Sequence, residues 1–131
     1  MTTRTLADSF DDYMESQPKK VIVAQTHAAV DKGMVVQLAI STGITSAPGA
    51  ADRLGFFGVA LEDIESGAKG RFAIDGFVQV LSGAAITLGS LIDCSADMKV
   101  DPLADQTDGN GFARVLETAG GADELVWAKL L

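Results

Sequence analysis

Aromatic side chains make up only 6% of the 131 residues, with a single tryptophan, Trp127, and a single tyrosine, Tyr13. Glycosidase chemistry on paired carboxylates needs a cleft walled by aromatic platforms, and this scarcity speaks against one. Cys94 is the sole cysteine, which excludes an intrachain disulfide and the multi-cysteine zinc patterns and leaves a small hydrophobe. His27 is the sole histidine, and no GxSxG elbow accompanies it. It reads as a satisfied or solvent-facing residue at a strand end. Positive charge is also scarce: 10 Lys and Arg stand against 18 Asp and Glu, for a net charge of −8. Such a chain repels phosphate, so direct nucleic-acid binding is not expected. No stretch reaches the ~18 apolar residues of a membrane-spanning helix, and acidic residues stand where a secretory leader would be basic and then apolar. No membrane partner is expected, and the chain reads as made and kept soluble.

Phosphate-binding and dinucleotide motifs are absent, Gly109-Asn110-Gly111 lacking both a third glycine and the strand-to-helix setting. Asp105 through Gly111 has the composition of a calcium loop without EF-hand spacing, and reads as a solvated turn. Glu62, Asp63 and Glu65 read as the solvated rim of a hairpin. No catalytic residue, cofactor or metal site is therefore expected.

What is present is short runs of Val, Ile and Leu punctuated by 14 glycines, the texture of many short strands joined by tight turns. Laid over itself at a shift of about 56, the chain matches Val21-Ile22-Val23-Ala24 to Phe77-Val78-Gln79-Val80, and Ala28 through Gly33 to Ala84 through Gly89. At a shift of about 55, Phe57 through Glu62 falls on Phe112 through Glu117. Each half reads as strand, glycine turn, strand, longer loop, hairpin. Met34, Val36, Leu38 and Ile40 alternate as one sheet face, as do Phe57, Val59 and Leu61, and Phe72 and Ile74. Glu65-Ser66-Gly67 and Ala119-Gly120-Gly121 read as hairpin turns whose glycines take positive φ. Ser41 to Ala51 and Asp101 to Gly111 read as exposed loops and candidate contact surfaces. The expected fold is all-β, a small β-barrel or β-tulip-like sandwich of roughly eight short strands. The expected organisation is an N-terminal arm over residues 1–20 and a single β domain over 21–131, with an internal repeat of 21–75 and 77–131.

The arm has no counterpart in the second half. Leu6, Phe10, Tyr13 and Met14 fall on one helical face, Thr5 and Asp8 have capping-box spacing, and Pro18 ends the helix. A helix of ~10 residues is marginal in water, so this stripe is the candidate partner contact. It either packs on its own barrel or a sister subunit, or orders only on a larger assembly.

Gly58-Val59-Ala60-Leu61-Glu62 with Gly67 and the strand at Phe72, Ala84 through Gly89, and the closing Leu116-Glu117 with Gly120-Gly121 together resemble the capsid decoration, or cement, proteins of tailed bacteriophages, over about Val21 to Leu131. The resemblance implies a non-enzymatic protein on the outer surface of a mature phage head, commonly a trimer. It implies the major capsid protein as partner, synthesis in the host cytoplasm, and a role in stiffening the shell. It carries no catalytic or cofactor residues. The acidic arm and the Ser41 to Ala51 loop depart from it. Another virion role, as a head-fibre base or tail-associated β-barrel, stays open. A small-ligand-binding barrel also stays open, and would need a cavity of roughly several hundred Å³.

Overall fold

The computed structural model describes residues 6–39, 41–47, 56–94, 97–103, 106 and 111–131, with the backbone alone for 6–10. Among the described residues a helix, α1 (Leu6–Ser16), precedes ten strands. They are β1 (Lys20–Gln25), β2 (Val35–Ala39), β3 (Ile44–Ser46), β4 (Phe57–Ala60), β5 (Lys69–Asp75), β6 (Phe77–Leu81), β7 (Leu91–Cys94), β8 (Val100–Pro102), β9 (Ala113–Val115) and β10 (Leu125–Leu130).

The strands form two five-membered sheets. The first, in the order β1-β3-β2-β4-β5, closes on itself through the antiparallel β1–β5 ladder and a parallel register pair between Gln25 and Ile44. The second runs β6-β10-β9-β7-β8, and an isolated parallel bridge joins Ser82 to Val100 at the matching place. Ladder registers agree as well. Ile22–Phe72, Val23–Arg71, Ala24–Gly70 and Gln25–Lys69 in the first sheet correspond to Val78–Ala128, Gln79–Trp127, Val80–Val126 and Leu81–Leu125 in the second, an offset of about 56.

The described residues form ten strands where roughly eight were expected, because β3 and β8 lie in or at the edge of segments that read as loops. Both are three-residue strands of mixed polarity, Ile-Thr-Ser and Val-Asp-Pro. Too short to show a period of two, they exist because each pairs with a longer neighbour, β2 or β7.

The core explains a second difference. Alternation assigns one buried face to each strand, yet Val35 and Val36, Val59 and Ala60, and Phe72 and Ala73 are all fully buried. Val36, Ala60 and Phe72 point into the first sheet's own core, while Val35, Val59 and Ala73 join the core of the second half. One wall of the first sheet is thus sandwiched between two apolar layers. Phe57 and Phe112 meet across this seam edge to face, with ring centroids 5.0 Å apart at 68°.

The turns differ in chemistry. Gly67 takes the expected positive φ of 78°, but in the last hairpin the left-handed residue is Asp123, φ 64°, and not Gly120 or Gly121. Aspartate tolerates this region because its short polar side chain bonds locally.

Candidate functional site

The arm is anchored by polar groups. Lys19 Nζ donates to the carbonyl oxygens of Met14, Glu15 and Gln17 at 3.2–3.4 Å, a cation placed on the carbonyls that a helix C-terminus leaves without partners. Pro18 follows, and Gly76, φ 97°, lies so close beneath that an added Cβ would stand 3.1 Å from Pro18 O. The arm's base therefore sits on the joint between the two sheets. Further out, Trp127 Nε1 donates to Asp11 Oδ1 at 2.9 Å. Trp127 is 4% exposed, so this bond satisfies an indole N–H that would otherwise be buried bare.

Of the stripe proposed as a partner contact, Met14 is half-buried and Tyr13 is 57% exposed. The side chains of Leu6 and Phe10, and Thr5 of the capping box, lie outside the described residues. The helix lies beside β6 and turns Asp11 toward the second sheet, leaving the Tyr13 ring on the outer side. Apolar periodicity could not have found Asp11, since it marks where carbon clusters and not which carboxylate meets an indole on a distant strand.

Beneath the arm runs a cleft of about 290 Å³ between the two sheets, bordered by Glu15, Lys19, Lys32, Arg71, Gln79 and Trp127. Arg71 pairs with Glu62 at 3.2 Å, and Asp63 Oδ1 accepts from the Lys32 amide at 2.8 Å. The acidic rim of this hairpin is thereby tied to its own chain.

The remaining candidates are structural in their surroundings. His27 Nδ1 lies 2.8 Å from the hydroxyl of buried Thr45, at the end of β1. Cys94 is half-buried against the second core. Of the Asp105 to Gly111 run, Gln106 and Gly111 are described, and Gln106 stitches the loop to β7 through the Leu91 amide and carbonyl at 2.7 and 3.1 Å. Its aspartates lie outside the described residues. Among the described residues no three His, Cys, Asp or Glu side chains gather as a metal site, and no helix is long and apolar enough to cross a membrane. One ion pair stands out: Lys99 Nζ lies 2.7 Å from Asp123 Oδ1, and that bond together with the carboxylate charge holds the Lys99 pKa above the ordinary lysine value.

The fold is one seen in phage particles. The chain is similar to the head fibre gp8.5 N base of bacteriophage phi29, with 18% identity, a TM-score of 0.66, and coverage of 87% of this chain and 95% of that one. The family model described as phage cement protein matches residues 16–130, and the chain belongs to that family. It is a structural family of the phage capsid. No curated protein matches the chain.

Proposed function

We propose that the protein sits on the outer surface of a mature phage head, binds the major capsid protein as a homotrimer, and stabilises the shell mechanically, without catalysis. The observation that carries this reading is the cement-family match over residues 16–130. A subunit bridging neighbouring capsid proteins adds buried interface that expansion must break, and many weak contacts on a symmetric lattice sum by multivalency. Within it, residues 21–131 act as a single β domain of two like halves, 21–75 and 77–131, and residues 1–20 as an arm. The net charge of −8 suits a face turned away from packaged DNA. The stripe of Leu6, Phe10, Tyr13 and Met14 is the proposed shell contact, supported at Tyr13 by an exposed ring on the helix.

The likeness to a head-fibre base favours a second reading, in which the same fold seats a fibre. Mixing the purified protein with expanded, undecorated cognate capsids, followed by sedimentation and electron microscopy, separates the two. Regular density at lattice points over the whole outer surface supports cementing. Sparse attachment carrying a projecting partner supports the fibre base, and absence of binding overturns both.

A further inference from the structure

Two strongly exposed aliphatic side chains lie at positions whose counterparts in the other half border one shared cleft. Leu88 is 59% exposed and Val23 61%. At the repeat offset Leu88 corresponds to Lys32 and Val23 to Gln79. Lys32 and Gln79 border one cleft, where the first half meets the second. Beside Lys32, Gly33 is closed against the second half. Its carbonyl accepts from the Leu81 amide at 2.9 Å, and an added Cβ would lie 2.6 Å from Leu125 Cδ2 and 2.8 Å from Leu81 N. Beside Leu88, Gly89 has the same φ of 88°, yet nothing stands within 4 Å of its Cβ position.

The surface that receives the Gly33 turn has a counterpart too. Leu81 and Leu125 correspond to Gln25 and Lys69, and with Val23 and Gly43 these border a groove of about 350 Å³ on the first half. A two-fold relation between the halves would have put Gly89 on Gln25 and Lys69. It does not, so turn and groove are a matching pair left open at two places on one molecule.

We propose that the groove is occupied by the Thr87–Gly89 turn of a second copy of this chain, so that Leu88 of one molecule lies on Val23 of the next. The packing of turn on groove then recurs between molecules, without a counterpart of the Leu81–Gly33 hydrogen bond, since the Gln25 amide and Gly89 O are already engaged within their own molecule. The residue types fit this division: polar Lys32 and Gln79 border the internal cleft, and aliphatic Leu88 and Val23 stand where two surfaces would meet. Ile44, 40% exposed and paired with Gln25 beside the groove, extends the apolar area. No polar group is left bare before association, since Gly89 O accepts from Arg114 Nη1 at 2.6 Å and the Gln25 amide donates to Gly43 O at 2.9 Å. Docking therefore adds apolar burial without uncovering or breaking either bond. Such a head-to-tail contact closes into a ring or runs on as a chain, and it needs no shell.

Single-thiol variants test it. Leu88→Cys and Val23→Cys are each made in a Cys94→Ser background, purified separately, and treated with a short bis-maleimide alone and mixed. The mixture forms cross-linked dimer while neither variant alone does, because the two surfaces differ. In parallel, Leu88→Asp weakens self-association in sedimentation equilibrium by about tenfold or more with an unchanged thermal midpoint. A mixture that links no better than either variant alone overturns the proposal. So does linking by one variant with itself.

Discussion

The Trp127 indole donates to the Asp11 carboxylate at 2.9 Å, joining the last strand to the helix that precedes the first. The described helix is thus tied to the second sheet at Asp11. Asp11→Ala leaves a buried N–H without a partner, at a cost of about 1–3 kcal/mol. A lowered urea midpoint, a red-shifted tryptophan emission and faster proteolysis of the arm are the expected readings.

Two buried hydroxyls perform one task in the two sheets. Thr26 Oγ1 donates to Glu65 O at 2.8 Å and Ser82 Oγ to Gly121 O at 2.6 Å, each pinning the hairpin that follows. Ser82 Oγ also accepts from the Glu124 amide at 3.1 Å. Ser82→Ala is expected to cost about 1–3 kcal/mol by denaturant unfolding, and Thr26→Ser markedly less, since serine keeps the bond.

Gly33 and Gly89 share a φ of 88° but not their surroundings. Gly89→Ala meets only the left-handed backbone cost of about 1–2 kcal/mol. Gly33→Ala adds a collision with the Leu81 backbone, which cannot swing aside as a side chain does. Thermal unfolding should therefore show a clearly larger loss for Gly33→Ala.

The Lys99–Asp123 pair sets an alkaline limit. Because the folded pKa of Lys99 is raised, chiefly by its hydrogen bond to Asp123, the pair's contribution is fully present below the unfolded lysine value of about 10.4 and is lost as pH rises through the folded value. Asp123→Asn, which keeps a residue tolerant of φ 64°, should flatten the fall of the denaturation midpoint above that pH relative to the parent.

How far the sequence discloses this molecule follows from what its patterns encode. Alternation at Phe72 and Ile74 marks β5, and Pro18 marks the end of α1, because both act within a few residues. The β3 strand, hidden in a Gly- and Ser-rich stretch, depends on β2 and on one register pair with β1, neither visible locally. The double burial at Val35 and Val36 arises from the second sheet, not from the strand's own pattern. At the last hairpin two adjacent glycines carry the stronger local turn signal, but the left-handed residue is Asp123, held in place by its amide donating to Ser82 O at 2.8 Å. For the arm, the helix was legible but its docking was not. That rests on Asp11 and Trp127, 116 positions apart.

The most direct test of cementing is the strength of the shell itself. Cognate capsids, expanded and DNA-filled, are heated with and without saturating protein while DNA release is followed by dye fluorescence. Decorated capsids are expected to release DNA at a higher temperature than bare ones. Identical release temperatures at full occupancy would contradict it.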